Sequence, residues 1–329
     1  MVPSYIKLYK NGTLKKRIVE AISFLDKCKV CPNECGTNRK VDKNGLCSSG
    51  YFPIVSTYSP HFGEEPVLSG LFGAGNIFFG NCNLKCIYCQ NYQISQNPKS
   101  ESEKEITFER LAEIMIELQE RGCSNIGLVS PSHFVPQILI ALEIAIEKGL
   151  NLPLVYNSNG YDSVQSLRLL DGIVDIYLPD FKYGCSETAK EYSSVKKYFE
   201  VASNSLTEMY RQIGDEYLIE DEVLRRGIIV RHLVLPNDLA DTEMVLKFIS
   251  TLLSSKLHIS LMSQYHPVHK AKEKILLSRK LNENEYDRAV RLLEKYDLNN
   301  GWIQELESHN YYLPDFENDR ENPFNNCNL

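Results

Sequence analysis

An α/β fold built on a parallel sheet is what this 329-residue sequence predicts. Two observations carry that expectation. From Asn76 onward, apolar runs of strand length alternate with amphipathic stretches of helical period. Helical stretches also separate successive runs, and parallel neighbours need such crossovers where antiparallel ones need only a tight turn. The length allows one large domain or two ordinary ones, with a full core and no need of covalent staples.

Taken in order, residues 5–27 place Ile18, Ile22 and Leu25 at helical spacing and predict one helix. Residues 28–50 form a cysteine-bearing knuckle, and the Pro- and Gly-rich residues 51–74 read as an irregular connection. Strands are predicted at 76–80, 125–129, 152–156, 173–178, 227–235 and 257–262. Helices are predicted at 108–121, 135–148, 163–170, 187–213, 242–253 and 283–296. The organisation expected is therefore an N-terminal helix and knuckle over 1–74, a β/α body over 75–303 and a tail over 304–329. That tail is acidic, Asn-rich and poor in aliphatics, and it reads as surface-draped or disordered. Periodicity alone leaves a doubly wound sheet, a full barrel and a partial barrel all open.

The net charge of −7 argues against a nucleic-acid footprint, which would be basic. No apolar run reaches membrane-spanning length, and the N-terminal segment has no signal-peptide core, so the expectation is a cytoplasmic protein with no membrane partner. The ten cysteines are more informative, because clustered cysteines in a reducing compartment usually bind metal. Seven of them fall between Cys28 and Cys89; Cys123, Cys185 and Cys327 stand apart and read as structural or incidental thiols.

The central constellation is GNCNLKCIYCQN, residues 80–91, with Cys82, Cys86 and Cys89 spaced C-x3-C-x2-C directly after the first predicted strand of the β/α body. Soft thiolates suit iron–sulfur clusters or zinc, both of which normally take four protein ligands. Three thiols leave one coordination position open, as catalysis needs; the plain alternative is a structural zinc loop. This motif, with Tyr88 before the last cysteine, resembles the signature of the radical S-adenosylmethionine (SAM) superfamily. The resemblance implies a [4Fe-4S] cluster on the three cysteines, SAM chelating the fourth iron, and reductive cleavage of SAM to a 5′-deoxyadenosyl radical. It also implies the fold: a partial (β/α)6 barrel of the radical SAM type with an N-terminal cysteine knuckle.

Ligands of such folds sit at the C-terminal ends of the strands. Strand two ends in Ser130-Pro131-Ser132-His133, where many members carry Gly-Gly-Glu to hold the SAM amino group; Ser132 or His133 is the expected replacement. Strand three ends in Asn157-Ser158-Asn159-Gly160, and strand four runs into Asp180 and Lys182, similar to the Asp-Leu-Lys segment of pyruvate formate-lyase activating enzyme. Strand five carries Arg231-His232. Strand six runs into Gln264-Tyr265-His266, similar to that enzyme's Tyr-His segment beside SAM. The cofactor-binding candidates are thus Tyr88, Ser132, His133, Asn157, Asn159, Asp180, Lys182, Arg231 and His266. Each has a plainer reading: an Asp180–Lys182 structural ion pair, an Asn159-Gly160 turn, satisfied core histidines, a packing role for Tyr88.

Cys28, Cys31, Cys35 and Cys47, spaced C-x2-C-x3-C-x11-C, describe a closed four-thiolate site. Structural zinc is the expected occupant, a single iron or a second cluster the alternative, and idle reduced cysteines the plain reading. The knuckle, the segment His61 to Pro66, Gln90-Asn91, and LVYNSNGYDSV, DGIVDIYLPDFKY, RHLVLP and NGWIQE together resemble one subgroup over residues 28–304. That subgroup comprises uncharacterised iron–sulfur proteins related to pyruvate formate-lyase activating enzyme. The resemblance implies an activase that leaves a radical on a glycyl radical enzyme, with a flavodoxin- or ferredoxin-type electron donor. Radical modification of a peptide, RNA or small metabolite is the second reading, and a non-catalytic electron carrier the third.

Overall fold

The computed structural model describes residues 2–310 and 313–324. Its sheet is built from β1 (Val55–His61), β2 (Ala74–Phe79), β3 (Ile126–Val129), β4 (Leu154–Ser158), β5 (Ile176–Pro179), β6 (Leu218–Glu220), β7 (Val223–Leu233), β8 (His258–Met262) and β9 (Gly301–Ile303). The order is β1-β2-β3-β4-β5-β7-β8-β9, with β6 paired antiparallel to β7. Strands β2, β3, β4, β5, β7 and β8 are parallel neighbours and correspond to the six runs read from the sequence. β9 adds a further parallel strand beyond β8. Among the described residues β1 and β9 are the two edges of the path, so the sheet is a partial barrel.

The register explains how one sheet serves two faces. Ile77, Leu128, Tyr156, Tyr177 and Ile228 stand in one cross-strand row and pack into the helix-side core. One residue further on, Phe78, Val129, Asn157 and Leu178 form the next row, and period-two alternation turns it to the other face. That inner row lines a cavity at Phe78, Val129 and Asn157.

The helical layer contains α1 (Tyr5–Lys10), α2 (Thr13–Ser23), α3 (Pro66–Ser69), α4 (Tyr92–Ser95), α5 (Pro98–Glu101), α6 (Phe108–Glu120), α7 (Val135–Glu147), α8 (Val164–Leu169), α9 (Ser186–Ser193), α10 (Tyr198–Ile213), α11 (Thr242–Phe248) and α12 (Glu283–Lys295). In α6, Leu111, Ala112, Ile114, Met115 and Leu118 form the buried stripe, and the Thr107 hydroxyl accepts the Arg110 N–H at the N-terminus (3.2 Å). Two predicted helices are each two helices. The N-terminal one breaks at Gly12, whose φ of 75° interrupts it between α1 and α2. The stretch 187–213 breaks at Ser194 and Lys197, both in the left-handed region, between α9 and α10.

The largest departure lies in 51–74. This segment is not an irregular connection: it holds β1, antiparallel to β2, and α3. β1 reads VSTYSPH, whose hydroxyl-rich face hid the strand from an apolar-run reading. α3 precedes β2 while the cysteine loop follows it, so the two lie at opposite ends of the parallel strands. There Leu68 of α3 packs against Val155, Ile176, Leu178, Leu224 and Ile229, plugging the barrel from below. The tail is not merely draped either. Phe316 is fully buried and packs with Phe324 against Phe78, Ile94 and Val129. Cys327 lies outside the described residues.

Candidate active site

The cysteine loop begins where β2 ends. Asn81 takes a left-handed conformation, φ 64°, which Asn tolerates better than most residues. Its N–H donates to the Ile94 carbonyl (2.8 Å) and its side-chain amide to the Ser48 carbonyl (3.1 Å). Further along, the Lys85 and Ile87 N–H groups donate to the Ser193 and Tyr192 carbonyls at the end of α9 (3.1 and 2.9 Å). Each thiol then meets a side-chain partner from a different element. The Asn159 amide donates to Cys82 Sγ (3.4 Å), the Ser193 hydroxyl donates to Cys86 Sγ (3.0 Å), and Ser95 Oγ lies 3.3 Å from Cys89 Sγ. The Leu84 N–H also reaches Cys82 Sγ (3.4 Å).

The three cysteines share the wall of a cavity of about 630 Å³. Burial pushes all three thiols up, Cys86 to about 12, while the Lys182 ammonium pulls Cys86 and Cys89 the other way. Thiols in that state ionise when a coordinated metal replaces the proton. Three soft donors, each with a polar partner and opening on one cavity, fit an iron–sulfur cluster with a free coordination position.

Seven of the expected ligand-binding residues line this cavity: Tyr88, Asn157, Asn159, Asp180, Lys182, Arg231 and His266. Several are engaged with one another. Asn159 also donates to the Asn83 side-chain oxygen (2.7 Å) and accepts the Tyr161 N–H (3.0 Å), so its amide serves the cysteine loop. Asp180 and Lys182 form an ion pair, the plainer of the two sequence readings. Burial works to lower the Lys182 pKa, but Asp180 and Cys86 outweigh it and the ammonium is held charged. Arg231 donates to both oxygens of Glu65 (2.8 and 2.6 Å) and to Glu64.

Ser132 and His133 do not line the cavity, a correction to their expected place at the SAM amino group. Ser130, in the left-handed region at φ 58°, lines it instead, and the chain after it turns toward α7. His133 is buried with Nε2 3.1 Å from the Gly80 carbonyl, and burial followed by the Arg39 charge depresses its pKa to about 3. His232 is likewise a core histidine, with Nδ1 at the Phe181 carbonyl (2.6 Å) and Nε2 at Thr242 Oγ1 (3.0 Å).

Sequence reasoning missed the lower part of the cavity. His61, Glu64, Glu65 and Ser69 line it from the end of β1, the turn after it and α3. Burial raises the Glu64 carboxyl, but Arg231, His61 and the Asn76 amide (2.6 Å) reverse this and hold it at about 2. Phe324 and Pro314 line it from the tail, with the Phe324 ring 4.3 Å from that of His61. The only sequence signal was the His61 to Pro66 segment, read as a resemblance and not as part of a site.

Residues 76–249, more than half the chain, match the profile of the Radical SAM superfamily. The chain belongs to that superfamily. Radical SAM membership implies an enzyme that carries a [4Fe-4S] cluster and binds and cleaves SAM. The uncharacterized protein MJ0674 of Methanocaldococcus jannaschii is 34% identical over 310 residues, spanning 89% of this chain and 82% of its own. Among solved structures, methylornithine synthase matches with a TM-score of 0.42 and 16% identity, over 67% of this chain and 62% of that one. HydG, a maturase of the [FeFe]-hydrogenase, matches with a TM-score of 0.46 and 10% identity, over 70% of this chain and 52% of that one. No described helix of this radical SAM protein is long and apolar enough to cross a membrane.

Its N-terminal knuckle buries Cys28, Cys31 and Cys47 and leaves Cys35 partly exposed. The Cys28 N–H donates to the Thr37 carbonyl (2.9 Å) and the Gly36 N–H back to the Cys28 carbonyl (3.1 Å), closing the loop. Cys28 senses the charges of Cys35 and Cys47, and Cys31 those of Cys47 and Cys28. Among the described residues, no three His, Cys, Asp or Glu side chains, these four included, converge on one ion.

Proposed function

We propose that this enzyme cleaves SAM reductively with its cluster on Cys82, Cys86 and Cys89 and abstracts hydrogen from a substrate held in the cavity above them. The observation that carries the reading is that three hydrogen-bonded thiols, Cys82 and Cys86 buried and Cys89 partly buried, all line one cavity of about 630 Å³. When bound, the cluster supplies the electron that breaks the sulfonium C–S bond and frees a 5′-deoxyadenosyl radical. The chain's own residues do the rest. Lys182 offsets thiolate charge at Cys86 and Cys89. Phe78 and Phe324, with Phe316 packed behind them, form an apolar wall that excludes water from a site where an unquenched radical must meet one C–H bond. Arg231, Glu64 and Glu65 give the opposite end a fixed polar surface.

For the substrate, the reading is a protein, as for an activase of a glycyl radical enzyme or a peptide-modifying enzyme, with a flavodoxin- or ferredoxin-type donor. Its support is the subgroup resemblance together with Phe62 and Ile303, which line the cavity yet remain 56% and 51% exposed. The N-terminal knuckle is read as a separate structural zinc site, supported by its three buried thiols and their mutual influence. Closing it about an ion requires the sulfurs to draw together from their present positions.

The test is anaerobic reconstitution, reduction and addition of SAM, with 5′-deoxyadenosine measured chromatographically. Wild type produces it and the Cys82→Ala, Cys86→Ala, Cys89→Ala triple variant does not; production by that variant overturns the reading. Electron paramagnetic resonance with candidate glycyl radical proteins then decides the substrate. A glycyl doublet on the partner supports the activase, whereas robust turnover of a small metabolite with no protein radical removes it.

A further inference from the structure

Cys86 differs from the other two thiols in what stands behind its partner. Ser193 Oγ donates to Cys86 Sγ (3.0 Å), and Tyr183 Oη lies 2.7 Å from that same Ser193 oxygen. A serine hydroxyl has one hydrogen. Since Ser193 spends it on the sulfur, Tyr183 must be the donor to Ser193. The Tyr88 ring packs edge-on against that of Tyr183, centroids 6.3 Å apart. Ser193 and Tyr183 are fully buried, and Tyr88 lines the cavity. Two buried hydroxyls therefore stand in line behind one sulfur, with a single polarity along their two hydrogen bonds.

We propose that the Tyr183–Ser193 line is a positioning relay that raises the reduction potential of the cluster through Cys86. The inference rests on the assignment of the cluster to Cys82, Cys86 and Cys89. Reduction adds negative charge that is shared by the sulfurs, so a donor to sulfur stabilises the reduced form more than the oxidised one. Consecutive hydrogen bonds polarise one another, and burial keeps water from masking the effect. Tyr183 thereby strengthens the Ser193 donor without touching the sulfur. Neither residue belongs to the C-x3-C-x2-C motif, and α9 delivers Ser193 only because the Lys85 and Ile87 N–H groups hold its last turn against the loop.

The test is a potentiometric titration, followed by electron paramagnetic resonance, of the anaerobically reconstituted full chain without SAM. Ser193→Ala should lower the reduction equilibrium constant about tenfold, a fall of about 59 mV for one electron. Tyr183→Phe, which removes one oxygen and little volume, should lower the potential by less. The double variant should fall little further than Ser193→Ala, because the Tyr183 hydroxyl reaches the sulfur by hydrogen bond through Ser193. Ser205→Ala, which removes a buried hydroxyl bonded to the Asp162 carbonyl, should leave the potential unchanged. Wild-type potentials in both single variants, with about four irons retained per chain, would overturn the relay while leaving the cluster assignment standing. Failure of the wild-type chain to hold those irons overturns the assignment and the relay together.

Discussion

Replacing Arg231 by Met removes the one guanidinium that joins Glu64 and Glu65 inside the barrel. Both carboxylates are nearly buried, with side-chain exposures of 9% and 5% against 15% for Arg231. Holding Glu64 at about 2 instead of its ordinary 4.5 corresponds to roughly 3 kcal/mol of stability at neutral pH. Removing one partner of a buried pair generally costs about 3–5 kcal/mol, because the charge left behind is neither solvated nor compensated. The variant should therefore melt roughly 10 °C below wild type at pH 7, taking about 2–4 °C per kcal/mol for a large domain. The pH dependence fixes the cause. In wild type the depressed Glu64 contributes stability above pH 4.5 that is lost as pH falls toward 2. In the variant, burial acts on Glu64 without its main counterweight and its pKa rises, so the variant is penalised as pH rises through that raised value and relieved in acid. The gap between the two melting curves should narrow from pH 7 to about pH 4, and Glu64→Gln should recover part of it at pH 7. Scanning calorimetry across that range measures this directly. A variant within about 1 kcal/mol of wild type at pH 7, with a gap insensitive to pH, would refute the reasoning.

Phe316→Ala removes a fully buried ring, a loss of about 3–5 kcal/mol where the site cannot collapse. The expected result is release of residues 313–324, seen as faster tryptic cleavage at Arg320, whose guanidinium otherwise bonds the buried Glu101 carboxylate (2.9 Å). Gly160→Ala should abolish soluble expression or lower the melting temperature sharply, because a Cβ at φ 75° would stand 2.0 Å from the Asp180 carbonyl oxygen. Cys28→Ser with Cys31→Ser should release zinc, measured by plasma emission, while iron at the other site is retained.

The six parallel strands were legible because buried strands in this fold are continuous apolar runs, as in NIFF and LVY, and the helices between them carry a clear period. β1 was not legible, since Ser56, Thr57 and Ser59 are buried there by pairing with β2 and by covering residues distant in sequence. Among the site residues, the cysteine spacing and the strand-end polarity both picked out residues that line one cavity, but not the partners those residues take. Asn159 faces Cys82, and Arg231 is taken by Glu64 and Glu65, some 166 residues earlier in the chain. No local pattern reports a contact of that separation. Ser132 and His133 failed for a different reason: the backbone reversal at Ser130 decides which side chain looks inward, and sequence order does not reveal it.

The plug formed by α3 has an architectural consequence. In a barrel filled by its own strands, depth and wall chemistry change together, because the same residues supply both. Here depth is set by Glu64, Glu65, Pro66 and Ser69, carried on a short segment that precedes the β/α repeat, with Leu68 packed into the core beside them. Reach along the barrel axis is thus a separate dimension from the cysteine-bearing rim. Exchanging residues 62–69 as a block would deepen or reshape the chamber while leaving every strand end where it is.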